Sequence, residues 1–359
     1  MKKSLILLAI LICIANFSFA QNDNTLIIVH PTKYNLSLFN YLLENKIIEI
    51  NNLKIIGVYY SKENYDYSES ENFINNHQLS FIELKEIKEE LHSNQLYKNN
   101  NLTPTFADLF KKSKGIFFFG GPDLPPAIYG ESMSLITRMT DPYRHYFEAS
   151  FLFHLLGGSQ NEKYEALLIK NPNYLVYTIC LGMQTMNIAT GGTMIQDIPS
   201  EIYGLKTVED VLNSDNNSQH RNYNNNLVID STLFSGNFHR IKIQNKIPLT
   251  DSFDDISEPL VYSNHHQAIK KLGKGLEVIA TSIDGKVIEA IKHKKYPNVL
   301  GIQFHPEGTY LYNREIKYKK HPNDELISGK DILLQNNSYY FHLNYWKTFS
   351  KKMNCKKPE

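Results

Sequence analysis

Cys180 stands in the run Tyr177-Thr178-Ile179-Cys180-Leu181-Gly182-Met183-Gln184, between a short apolar stretch (Tyr174 to Ile179) and a helix-compatible segment. That layout puts a thiol on a strand-to-helix turn. Farther along, Gly301-Ile302-Gln303-Phe304-His305-Pro306-Glu307 offers an imidazole and a carboxylate two positions apart. Pro306 disfavours helical backbone at His305, and in extended chain positions two apart share a face. Glu307 can therefore fix the tautomer of His305 and favour its charged form. A thiol, a base and an orienting acid are the parts of nucleophilic acyl transfer. Helix first turns leave N–H groups without intrahelical acceptors, so the Leu181 N–H can donate to the oxyanion of a tetrahedral intermediate. Gly120-Gly121 ends another apolar run, and glycine lets backbone approach a ligand closely, so Gly121 can supply a second donor. Singly, each feature is weak: a buried cysteine is usually a small hydrophobe. The combination carries the reading.

The elements that must position these groups follow from the apolar pattern. Leu26 to Val29, Leu53 to Tyr60, Phe81 to Leu84, Gly115 to Phe119 and Tyr174 to Ile179 read as strands. Between them, Leu36 to Leu43 and Arg144 to Leu156 carry helical spacing. Such alternation predicts an α/β fold, a doubly wound, mostly parallel sheet covered on both faces. Leu276 to Ser282 and Lys286 to Lys292 flank Asp284-Gly285, a hairpin signal, and Val299 to Phe304 is a further strand. An antiparallel hairpin added to the sheet is the natural assembly. Residues 61–103 are polar, with an amphipathic helix expected near Leu84 to Leu91. Residues 213–226 are almost all polar and read as an exposed loop. Both stretches are expected to be insertions in a single domain spanning residues 21–359.

The chain resembles the γ-glutamyl hydrolase branch of the class I glutamine amidotransferase-like proteins. The matching pieces run in the family's order. They are Gly120-Gly121-Pro122-Asp123 with Pro126 and Tyr129-Gly130-Glu131, Cys180 to Gln184 with Asn187, Gly191-Gly192-Thr193, Gln196 to Pro199, Ser263 to Ile269, and Gly301 to Glu307. The resemblance implies a flavodoxin-like fold, with Cys180 as nucleophile, His305 as base and Glu307 as its orienter. It implies hydrolysis of γ-glutamyl amide bonds through a thioester, with a small γ-glutamyl compound as substrate. Gln184 matches a position beside the glutamyl group in relatives, and His265, His266 and Gln267 match a segment lining the same cleft. Thr178 stands where relatives carry glycine, Phe119 replaces a proline, and His145 follows Arg144 where an acid is usual. A glutaminase domain serving a synthetase and a binding module of the same fold are the rival readings.

Bulk properties narrow the classes further. Residues 1–20 have a basic start (Lys2-Lys3), an apolar core and a small-residue end at Phe17-Ser18-Phe19-Ala20, the layout of a secretory signal peptide. Cleavage near Ala20 and export to a periplasm or medium are expected. Losing Lys2 and Lys3 takes the formal charge from +1 to −1, and a near-neutral chain without a basic cluster argues against nucleic acid as partner. No other apolar run is long enough to span a membrane, and a homodimer is compatible with the sequence. Only Cys180 and Cys355 remain after cleavage, and both are expected reduced. Without Cys-x-x-Cys, His-Glu-x-x-His or other ligand spacing, no metal is expected, and the chemistry requires no cofactor.

Overall fold

Apolar runs in the first half of the chain become strands, and the amphipathic runs between them become helices. The computed structural model describes residues 24–244 and 256–355. In it β1 (Asn24–Val29), β2 (Leu53–Tyr60), β3 (Ile82–Ile87), β4 (Gly115–Phe118) and β5 (Leu175–Ile179) alternate with five helices. These are α1 (Lys33–Glu44), α2 (Ser68–Asn76), α3 (Thr103–Lys112), α4 (Pro142–Leu156) and α5 (Leu181–Ala189). Short elements follow: β6 (Thr193–Ile195), α6 (Ile198–Ile202) and α7 (Val208–Leu212). Then come β7 (Asn237–Ile243), β8 (Leu260–Ser263), β9 (Ala268–Lys271), β10 (Leu276–Ser282), β11 (Ile288–His293) and β12 (Val299–Ile302). Helices α8 (Gly329–Gln335) and α9 (Tyr339–Asn354) close the described chain. The expected signal peptide and its cleavage site lie outside the described residues.

One sheet takes ten of the strands, in the order β3-β2-β1-β4-β5-β12-β11-β10-β7-β8. From β3 to β12 all neighbours are parallel, and from β12 to β8 all are antiparallel. The α/β architecture is the expected one. The hairpin of β10 and β11 forms, with Val278 opposite Ile291, and is extended by β7 and β8. Each face of the sheet carries a core. One packs Leu36, Phe39, Trp346 and Phe349 from α1 and α9; the other packs Phe106, Phe147, Phe151 and Met183 from α3, α4 and α5. Fully burying side chains of this size stabilises the fold by about 1.5–3 kcal/mol each.

Two local expectations are corrected. The helix expected over Leu84 to Leu91 is absent: residues 82–87 form β3, parallel to β2 from Ile55 opposite Ile82 to Tyr60 opposite Ile87. As the outer strand of the sheet, β3 carries Glu83, Lys85 and Glu86, and charges on an edge strand interrupt the alternation that marks a half-buried strand. Residues 213–226 are likewise not a simple exposed loop, since His220, Asn222 and Tyr223 are buried. Their asparagines satisfy neighbouring backbone: Asn216 donates to the Phe238 carbonyl, Asn222 to Phe234 and Lys320, and Asn217 accepts from Arg240 N–H. Polarity here serves internal hydrogen bonding.

From β1 the chain winds outward to β3, then returns to the other side of β1 with β4 and β5. In open α/β sheets ligands bind outside the carboxyl ends of the strands where the order reverses. His30, Gly120, Cys180 and His305 all follow the carboxyl ends of β1, β4, β5 and β12.

Candidate active site

Cys180 joins β5 directly to α5 with φ 51° and ψ −108°, a conformation that side chains rarely adopt. Its N–H donates to the Ile302 carbonyl at 2.8 Å, which ties the turn to β12. Two residues before it, Thr178 lies opposite Gly301 in the β5–β12 register. A Cβ on Gly301 would come within 2.7 Å of the Thr178 hydroxyl, so that glycine makes the room the larger residue needs.

His305 follows the end of β12, and its N–H donates to the Tyr262 carbonyl. Its Nδ1 lies 2.7 Å from Glu307 Oε1, which leaves the other ring nitrogen for the Cys180 sulfur. Burial disfavours the charged ring, but the Glu307 carboxylate and Cys180 outweigh it and hold His305 well above the ordinary imidazole range. The carbonyl of Pro306, between the two, accepts from Trp346 Nε1 at 3.2 Å and from Tyr312 Oη at 2.6 Å. The turn is thus held from below by α9.

Gly120 and Gly121 press against this group. A Cβ at Gly120 would lie 2.8 Å from His305 Cε1 and 3.4 Å from Cys180 Cβ; one at Gly121 would meet Arg144 and Leu181. Leu181 is the first residue of α5, where N–H groups lack intrahelical acceptors. The Gly120 carbonyl accepts from Arg144 Nη2 at 2.9 Å, while Arg144 Nε pairs with the buried Glu148 at 2.8 Å.

The sulfur stands where two cavities meet. One, about 400 Å³, is lined by His30, Tyr34, Arg144, His305, Glu307 and Tyr310 among others. The second, about 280 Å³, is lined by Gln184, Arg221, His265, His266 and Gln267. The two linings therefore include every candidate site residue named from the sequence except Leu181, which follows Cys180 directly, but their hydrogen bonds separate them. Gln184 is engaged with Gln303 and the Gln267 carbonyl. His266 has Asp197 at Nδ1 and Asp123 at Nε2, so both nitrogens are occupied and it acts as a tie between loops. His265 holds the Gln267 carbonyl with Nδ1 at 2.9 Å, and its Nε2 is turned towards the buried Glu289. Among the described residues, Gln267 alone has a side-chain amide whose two polar atoms are buried without a partner.

Three contributors escaped the sequence reading. Gln303 Nε2 lies 3.5 Å from the Cys180 sulfur, and its place two residues before His305 in extended chain was the available signal. Arg144 and Arg221 come from a helix and a polar segment, and nothing local in the sequence marks them. Cys180 and Cys355 are both free thiols, the first buried and the second exposed.

The sequence profile of the peptidase C26 family matches residues 97–307. A glutamine amidotransferase-like protein of Lactococcus lactis is 28% identical over 195 residues, covering 54% of this chain and 66% of that protein. The NtpR protein of Enterococcus hirae is 29% identical over 194 residues, covering 54% and 66%. The γ-glutamyl-γ-aminobutyrate hydrolase PuuD of Escherichia coli K12 is 26% identical over 200 residues, covering 55% and 66%. The chain thus spans just under two thirds of the length of each of these relatives.

Proposed function

The chain belongs to the peptidase C26 family, and from that premise we propose that it is a cysteine hydrolase cleaving γ-glutamyl amide or peptide bonds. The observation that carries this reading is the Cys180 turn set beside the His305–Glu307 pair. His305, held in its charged form by Glu307, carries the thiol proton, and the Cys180 thiolate attacks the γ-carbonyl carbon. The oxyanion receives N–H bonds from Leu181 and Gly121. His305 then gives the proton to the departing amine, leaving a thioester on Cys180. Water, deprotonated by the same ring, attacks the thioester and releases glutamate.

The smaller cavity suits the glutamyl half. Arg221, whose Nε is buried without a hydrogen-bond partner, faces the α-carboxylate, and the Gln267 amide meets the remaining polar groups. The leaving amine then extends into the larger cavity beside Tyr34 and Tyr310. Residues 1–20 act as a cleaved leader, so the mature enzyme works outside the cytoplasm; amino-terminal sequencing of the exported chain should begin near Gln21.

Glutamate release from γ-glutamyl amines, glutamine and poly-γ-glutamyl compounds tests the activity. Wild type should turn over at least one class, and Cys180→Ala should lower kcat/KM by roughly 10⁴-fold or more. Equal release by both proteins, or none by either, defeats the proposal. Glutamine hydrolysis that requires an added synthetase would make the chain an amidotransferase subunit instead.

A further inference from the structure

Beneath the wall of the smaller cavity lies a second constellation for which acyl transfer has no use. His220 from the polar segment, His239 from β7, His265 from the turn between β8 and β9, and Glu289 from β11 are all buried. One ligand atom from each falls within 4.8 Å of all the others. His220 Nδ1 is 3.1 Å from Glu289 Oε1, and the Nε2 atoms of His239 and His265 are each 4.0 Å from the same oxygen. The rings converge, with centroids 4.6 Å apart for His220 and His239 and 4.9 Å for His220 and His265.

Hydrogen bonding within the protein does not explain this convergence. Both nitrogens of His220, Nε2 of His265 and both carboxylate oxygens of Glu289 are buried with no hydrogen-bond partner. Leaving such a group unsatisfied costs about 1–3 kcal/mol, and here several face one point. The outer nitrogens of His265 and His239 are already assigned. Nδ1 of His265 takes the Gln267 carbonyl at 2.9 Å and Nδ1 of His239 the Arg240 carbonyl at 3.3 Å. An N–H donated outward leaves Nε2 with its lone pair facing inward, the arrangement that orients histidine ligands in metal sites. Among the described residues the competing contacts are the Ser263 hydroxyl, 2.8 Å from His239 Nε2, and the 3.1 Å approach of His220 Nδ1 to Glu289 Oε1.

We propose that His220, His239, His265 and Glu289 bind a divalent transition-metal ion of the zinc type. Three imidazoles and one carboxylate suit such an ion, with metal–ligand distances of about 2.0–2.2 Å. Four protein ligands close the shell, so the ion is structural and leaves no open position for substrate. It joins the 213–226 segment to two strands of the sheet, β7 and β11, and to the turn after β8, and it fixes His265, hence the following residues His266 and Gln267 of the cavity wall. The sequence contains no ligand spacing because every ligand comes from a different element, and on this point the proposal departs from the expectation that no metal binds.

The test uses the purified full chain, stripped with a chelator and titrated with Co²⁺ and Zn²⁺. Wild type should take up one ion per chain, with the visible bands of four-coordinate Co²⁺ and no sulfur charge-transfer band. Cys180→Ala should retain that spectrum, whereas Glu289→Gln and His220→Ala should lose it and the stoichiometric ion. X-ray absorption of Zn-loaded wild type, which needs no variant to fold, should show nitrogen and oxygen neighbours at about 2.0–2.2 Å with imidazole scattering. The proposal is overturned if folded wild type takes up no stoichiometric ion, if neither cluster substitution alters binding, or if sulfur appears in the first shell.

Discussion

Cys180 keeps φ at 51° although it carries a side chain, and strain of this kind costs on the order of 1–3 kcal/mol. Replacing it should therefore separate stability from activity. Cys180→Gly and Cys180→Ala both lack the nucleophile, yet the glycine variant should be more stable to urea by about 1 kcal/mol. Equal midpoints would show that the turn is unstrained. The Gly120 approach makes a second case. Gly120→Ala puts a methyl 2.8 Å from the His305 ring, and displacing a reacting group by about 1 Å can cost roughly 10²-fold in rate. Loss of kcat with an unchanged circular-dichroism spectrum is the expected result. Arg221→Gln should instead act on binding, raising KM by about 10- to 100-fold, the worth of a hydrogen bond to a charged group. At this scale the proximity of Cys180, His305 and Glu307 was legible because each sits in a short motif whose backbone follows from its neighbours. His265 and His266 were not, because the partners that decide what their nitrogens face lie in β11, the Asp123 loop and the turn before α6.

Helix α9 lies outside the residues matched to the family profile, yet it supports the site. Trp346 is fully buried and bonds to both the Pro306 carbonyl and Tyr312 Oη. Trp346→Phe keeps most of the packing and loses both bonds. It should cost about 1–2 kcal/mol of stability and lower kcat more than it changes KM, measured by steady-state kinetics beside urea unfolding. Elements buried on both faces, such as β4 and β5, could be read from unbroken apolar runs. The outer strand β3 was read only as far as Leu84, since Lys85 and Glu86 blur its period, and the added strands β7 and β8 were not read, the first for its charged residues and the second for its four-residue length. The 213–226 segment misled for a related reason: asparagine reads as solvent-seeking until the backbone carbonyls that occupy it are known.

Across the whole molecule, many histidines are held neutral inside the protein. Burial pushes His154 and His342 down to about 4 and His145 to about 3, against about 6.5 in the unfolded chain. The unfolded state then binds more protons between these values, so the stability each group confers is complete above pH 6.5 and is lost as pH falls towards 4. Each should contribute a slope of about 1.4 kcal/mol per pH unit in that window. Buried Glu63, raised to about 7 chiefly by burial, acts in the opposite sense between pH 7 and its ordinary carboxyl range. A single substitution isolates one contribution: His154→Gln should flatten the urea-unfolding slope between pH 6.5 and 4, and an unchanged slope would refute the assignment. The sheet's parallel-to-antiparallel plan was visible in the order of runs, whereas the depth of its polar interior emerges only on folding. That interior has an optical consequence. The chain contains one tryptophan, and its indole N–H is bonded to the carbonyl between His305 and Glu307. Light absorbed to the red of tyrosine therefore excites a chromophore lodged against the turn that carries the proposed base and its acid. Its emission should report, turnover by turnover, each change of charge on the imidazole as acyl groups arrive and leave.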